Sequence, residues 1–255
     1  METGGAKPTS TRFGCVTCGR LNPFDAERTA AHIEGKLRAL AAPERAEAER
    51  RYLKSELDDL GVTVWQIRRE VKAFGEEHPS LSHTELIALV QALWSRPLYE
   101  RRMAAAMLLE AYPTLIGPAD LVMLRRLVRE SKTWALVDVL AGDVIGRLLV
   151  RHPRAESRLD RWAVDRDFWV RRAALLAMLE PLKHGAPFRR FAGYADAMLD
   201  ETEFFIRKAI GWVLRETGKR RPQEGFEWLA PRTARVSGVT LREAVKYLDP
   251  ISAMS

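Results

Sequence analysis

The stretch Glu203–Thr217 reads EFFIRKAIGWVLRET. Its apolar residues recur at intervals of three and four, the period of an amphipathic helix. It also holds an aromatic residue followed three positions later by a cation, Phe205-x-x-Lys208. The same pairing occurs at Trp65-x-x-Arg68, Tyr99-x-x-Arg102 and Trp169-x-x-Arg172, with the cations 34, 70 and 36 residues apart. The interval of 70 is two periods, and the missing copy belongs near residue 137, where Trp134-x-x-Val137-Asp138 stands. A period of this length is one pair of helices, the unit of an α-solenoid of the HEAT type.

Working outward, the same helical spacing runs through AERTAAHIEGKLRALA, TELIALVQALWS, RRMAAAMLLEAY and DLVMLRRLVRES. Pro79, Pro97, Pro113, Pro118, Pro153, Pro181, Pro187, Pro222 and Pro231 are expected to punctuate the connections between helices. No segment alternates as a strand does. The expected fold is all-α: a right-handed α-solenoid of HEAT-like helical repeats, roughly ten to twelve helices with short loops, curved with a basic concave face. Stacking sets equivalent positions side by side, so Arg68, Arg102, Arg172 and Lys208 are expected in a basic line interrupted by Asp138. The aromatic partners, Trp65 and Tyr99 above all, serve equally well as inter-helix packing.

Residues 1–22 are rich in Gly, Pro, Ser and Thr and lack a hydrophobic period. They are expected to be a flexible N-terminal extension, with one domain over 23–255. The chain carries 41 Lys+Arg against 34 Asp+Glu, a formal net charge of +7, which permits a polyanionic partner. No apolar run reaches the roughly 18 residues of a membrane span, and no secretory leader is legible at the N-terminus. Two cysteines cannot staple a chain of 255 residues, so a cytoplasmic setting is expected.

A helical array lined by cations suits a phosphate backbone, and no zinc-finger, zipper or RNA-binding signature adds base readout. Asp138 is the odd member. It lies four residues after Trp134, on the same helix face. A carboxylate in a phosphate-binding groove is a poor choice for binding alone. It makes sense if the reaction develops positive charge, as cleavage of an N-glycosidic bond does when the sugar becomes oxocarbenium-like. Trp134 and Trp212 would offer their electron-rich faces to a cationic sugar or base. The competing reading pairs Asp138 with a neighbouring arginine and buries Trp134 in the core. In a solvated groove Asp138 is expected to stay ionised.

The segment from about Asp25 to Pro250 resembles the bacterial DNA alkylation repair glycosylases of the AlkD type. The resemblance runs through Arg51-Tyr52-Leu53-Lys54 before Leu60-Gly61-Val62, then LWSRPLYERRMAA, SKTWALVD, RWAVDRDFWVRRAALLAML, EFFIRKAIGWVLRE and LREAVKYL, in the family's order. FFIRKAIGWVLRE is the most specific of these. The resemblance implies a monofunctional DNA glycosylase that excises cationic N-alkylpurines, such as 3-methyladenine and 7-methylguanine, from duplex DNA in base excision repair. It implies no metal, no organic cofactor and no β-lyase lysine.

Carried over by residue, it implies a catalytic set of Asp138, Trp134, Trp212 and Arg172, with Arg172 holding phosphates around the lesion. Tyr52 is the family's tyrosine, and Arg171 neighbours the equivalent arginine. Arg68, Arg102 and Lys208 join Tyr52 and Arg171 as expected DNA contacts. Ala135 departs from the polar residue often found after the tryptophan. Double-stranded DNA carrying alkylated purines is the partner implied, with the protein a monomer and at the nucleoid when bound. The alternatives are a non-catalytic HEAT-repeat binder of damaged or branched DNA, and a protein-interaction scaffold.

Other signals are weaker. Cys15-Val-Thr-Cys18 is a single C-x-x-C without a second pair of zinc ligands. His32, His78, His83, His152 and His184 show no clustered spacing and are expected at the surface or as caps. Met103, Met107, Met123 and Met178 occupy core-like positions.

Overall fold

A computed structural model describes Met1 and residues 24–247; the expected extension, with Cys15 and Cys18, lies outside the described residues. Helices run α1 (Ala26–Ala39), α2 (Pro43–Leu53), α3 (Val64–Glu77), α4 (His83–Trp94), α5 (Tyr99–Ala111), α6 (Leu121–Glu130) and α7 (Trp134–Asp138). A π-helical segment, Val139–Gly146, joins α7 to α8 (Arg147–Arg151) in one unbroken rod. Then follow α9 (Phe168–Leu176), α10 (Leu179–Lys183), α11 (Arg189–Ala197), α12 (Phe204–Gly218), α13 (Pro222–Leu229) and α14 (Gly238–Ala244). Among the described residues there is no strand; one isolated bridge joins Asp58 to Leu98.

Local chemistry accounts for the boundaries. Thr63 and Ser82 open α3 and α4 with reciprocal capping boxes to Gln66 and Glu85. The Asp167 carboxylate opens α9 by accepting from the Trp169 and Val170 amides. The prolines sit mostly in connections or, like Pro222, at a helix start. Pro181 is a correction. It lies within α10, in the first turn, where its missing N–H is not needed by the helix.

The helices form two layers. In one, α3 packs on α5, α5 on the π-containing rod, the rod on α9, α9 on α12, and α12 on α14. The helices bearing the five copies of the aromatic repeat thus stack in chain order. α12 and α14 approach so closely that a Cβ on Gly211 would meet the Thr240 carbonyl at 2.9 Å. The other layer holds α4, α6, the 3₁₀ segment Pro153–Arg161, α11 and α13. It is tied laterally by His83 to Asp120, Arg190 and Tyr194 to Asp160, and Arg232 to Asp196. Between the layers lies a continuous apolar core with Met103, Met107 and Met178 in it. Its burial is the main stabilising contribution.

The core also encloses charge that periodicity does not reveal. Arg101 is buried against Glu34 and donates to the Leu93 carbonyl at 3.1 Å, tying α5 to α1 and α4. Glu100 is fully buried and accepts from the Leu60 and Val62 amides at 2.9 and 3.1 Å. It thereby fastens the α2–α3 connection to the start of α5. Burial, with Asp59 adding like charge, pushes the Glu100 carboxyl up to about 7.

Candidate functional site

Asp138 ends α7 and Arg172 stands in the middle of α9, one repeat further on. Arg172 is only 2% exposed. Its Nε donates to Asp138 Oδ1 at 2.9 Å and its Nη2 to Oδ2 at 3.0 Å, a bidentate pair. Its Nη1 donates to the Phe205 carbonyl at 2.5 Å, and the Phe205 ring lies 5.8 Å from the guanidinium. The tilted stack of Trp169 on Phe205, 4.9 Å between centroids, backs that ring. Arg172 therefore has no open side for a phosphate. The expectation that it holds backbone phosphates is corrected: it anchors the carboxylate.

Asp138 is not in a solvated groove either, since only 15% of its side chain is exposed. Burial pushes its carboxyl above the usual aspartate range, and Arg172 and then Lys208 pull it back. Both oxygens accept from one guanidinium, which suits the ionised, acceptor-only form. An ionised carboxylate has more lone pairs than this pairing uses.

That cleft, of about 430 Å³, is lined by Asp138 and Trp212 together with Gly142, Asp143, Glu180 and Arg215. The π-helical turn begins at the residue after Asp138. Its wider winding places Gly142 and Asp143 in the same cleft as Asp138. No residue of the sequence signals this turn.

Trp134 is half-buried and meets Tyr52 edge-on, 5.6 Å between centroids at 85°. Thr133 does not cap α7. Its hydroxyl donates to the Leu53 carbonyl at 2.9 Å, pinning the start of the rod to the end of α2. Tyr52 itself is 67% exposed, as is Trp65, whereas Tyr99 is buried packing. Lys54 caps α2 in the left-handed region at φ 49°, and this conformation brings its ammonium 5.8 and 5.9 Å from the Phe204 and Phe205 rings. Lys208 lies 6.0 Å from the Phe204 ring. The sequence marked Phe205 only as a repeat aromatic and Lys54 only within the resemblance, and it assigned neither of them, nor Phe204, to the site. The Lys54 position bears no Gly or Asn to signal a left-handed turn.

The line of repeat cations is not a line of free charge. Arg68 pairs with Glu110 at 3.0 Å. Arg102 is half-buried, stacks 5.2 Å from the Trp94 ring and donates to the Glu130 carbonyl. Arg171 turns away from Asp138, pairs with Glu201 through Nε and Nη2 and donates to the Asp165 and Arg166 carbonyls. Of the repeat positions, Lys208 leaves its ammonium exposed and without a carboxylate partner among the described residues. Also among the described residues, no three Cys, His, Asp or Glu side chains form a metal-binding group, and no helix is long and apolar enough to cross a membrane.

Known proteins share this architecture. A predicted DNA alkylation repair enzyme from Enterococcus faecalis superposes with a TM-score of 0.75 at 24% identity, over 82% of this chain and 96% of that one. AlkD2 from Streptococcus mutans gives a TM-score of 0.62 at 15% identity, over 88% of this chain and all of its own. The protein smu.31 from Streptococcus mutans UA159 gives 0.60 at 16% identity, over 88% and 100% of the two chains. These likenesses establish the helical-repeat fold of AlkD-type proteins. No curated protein matches the chain by sequence. The family model for DNA alkylation repair enzymes matches residues 33–248, nearly the whole of the two-layered array, and the chain belongs to that family.

Proposed function

We propose that the protein is a monofunctional DNA glycosylase that hydrolyses the N-glycosidic bond of positively charged N-alkylpurines in duplex DNA. The observation that carries this reading is the Asp138 carboxylate, held by a buried arginine at the wall of a cleft it shares with Trp212. A pure binder of phosphates gains nothing from an anion so placed. As the bond to a cationic base breaks, positive charge moves to the deoxyribose. An oriented carboxylate of low exposure stabilises that charge strongly, because little water screens it. The free lone pairs of Asp138 can also orient the attacking water. Trp212, and Trp134 with Tyr52 at its edge, supply apolar walls and electron-rich faces for the cationic nucleotide. Lys54 and Lys208, exposed beside Phe204, would take the flanking phosphates.

A base that already carries charge departs without protonation, so the site needs no general acid. The test is incubation with duplex DNA carrying 7-methylguanine, scored for free base. The expected result is release of 7-methylguanine and an abasic duplex without strand cleavage. DNA binding without release would favour the non-catalytic alternative.

A further inference from the structure

A second concentration of cations lies in the other helical layer. A groove of about 690 Å³ is bounded by Arg125, Arg126 and Arg129 of α6 and by Arg158 and Arg161 of the 3₁₀ segment, with Trp162 in its wall. Winding explains the convergence. On α6 Arg129 lies four and three residues after Arg125 and Arg126, while Leu121, Leu124, Leu127 and Val128 are buried. On a 3₁₀ helix residues three apart eclipse, so Arg158 and Arg161 point the same way.

The carboxylates present do not neutralise the groove. Asp165 takes both Arg125 and Arg129, and Arg126 has only Glu130 at 3.8 Å. Arg158 donates to the Pro118 carbonyl, and neither it nor Arg161 has a carboxylate partner among the described residues. Arg166, at the adjoining loop, is exposed and likewise without one.

This groove shares no lining residue with the cleft at Asp138. Helix α9 separates them through adjacent residues. Arg172 turns to Asp138, while Arg171 turns to the carbonyls of Asp165 and Arg166, beside the arginine groove. Successive helical residues point about 100° apart.

We infer that the arginine groove is a second phosphate-binding site, taking the backbone of a nucleic-acid segment other than the one at Asp138, so that one molecule holds two duplexes. Forked guanidinium groups suit phosphate oxygens bidentately, and several unpaired cations around one groove lower their mutual repulsion by taking up a polyanion. The inference rests on the proposed DNA reading of the first site.

The test uses the full chain and two undamaged duplexes, one immobilised and one fluorescent, together with a separate short duplex carrying 7-methylguanine. Wild-type protein is expected to retain the fluorescent duplex on the immobilised one. The charge-reversed variant Arg126→Glu/Arg158→Glu/Arg161→Glu, at exposed positions, is expected to lose that retention while excising 7-methylguanine at the wild-type rate. A variant of the first face, Lys54→Glu/Lys208→Glu, should fail in excision yet still bind one duplex. The salt slope of this remaining binding should fall by up to about three units when the groove reversals are added.

Bridging unchanged in the groove variant overturns the inference. So does excision lost in step with bridging in a variant whose melting is unaltered, because the groove would then belong to the same DNA path. Retention of a labelled acidic peptide but not of DNA by wild-type protein assigns the groove to another partner class and overturns it too. Failure of excision by wild-type protein that still bridges duplexes rejects the proposed activity and leaves the second site standing.

Discussion

Replacing Arg172 with methionine removes the guanidinium and keeps most of the side-chain volume. The substitution deletes the two bonds to Asp138 and the bond to the Phe205 carbonyl, and leaves a carboxylate at 15% exposure without its counter-ion. Breaking a buried pair by removing one partner costs about 3–5 kcal/mol. The slight exposure of Asp138 and the nearby Lys208 place the cost at the lower end, about 3 kcal/mol. For a chain of this size that lowers Tm by roughly 6–12 °C.

The cost depends on pH with a definite sign. Burial already raises the Asp138 carboxyl, and without Arg172 it rises further. A group raised in the folded state favours folding while protonated. Its contribution is lost as pH climbs through the folded value. The deficit of Arg172→Met is therefore smallest in mild acid and largest at neutral pH and above. Single-turnover excision of 7-methylguanine should fall at neutral pH and recover in part toward alkaline pH, as Asp138 ionises. Adding Asp138→Asn should restore part of the lost stability and none of the activity. The assays are thermal melting against pH and single-turnover kinetics against pH. A variant that melts like wild type at neutral pH and excises at a pH-independent, undiminished rate would refute the anchoring role.

In the wild-type background, Asp138→Asn should abolish most excision while duplex binding holds or tightens, since a repulsive charge is removed; near-normal single-turnover rates would take Asp138 out of the chemistry. Lys54→Ala and Lys208→Ala should each reduce the salt slope of duplex binding by about one unit, whereas Arg171→Ala should leave it unchanged because that side chain is already paired. Duplexes carrying 7-methylguanine or 3-methyladenine should be substrates and those carrying hypoxanthine or uracil should not; comparable rates would require a general acid. Glu100, raised to about 7 by burial beside Asp59, stabilises the fold below the ordinary glutamate pKa and loses that contribution as pH rises toward about 7. Glu100→Gln should flatten this decline in a melting series, and an unchanged slope would exclude Glu100 as its source.

The all-α class, the helix positions and the stacking of equivalent helices were legible in the chain itself, because they follow from local periodicity and from a repeat of constant length. EFFIRKAIGWVLRET became α12 within a residue at each end, and the helices bearing the repeat lie against one another in order. Of the residues the resemblance pointed to, Asp138 and Trp212 line one cleft, and Arg172 lies buried behind Asp138.

What a side chain in the repeat does was not legible there. Arg68, Arg102 and Arg172 share one repeat position and Arg171 adjoins it, yet tertiary neighbours divide the four among an ion pair, an aromatic stack, a glutamate clamp and a buried anchor. Spacing fixes the face of a helix on which a residue stands. The hydrogen-bonding partner it meets there comes from segments 28 to 42 positions away, and only packing sets that distance. The arginine groove likewise joins α6 to the 3₁₀ segment Pro153–Arg161, which only packing sets side by side.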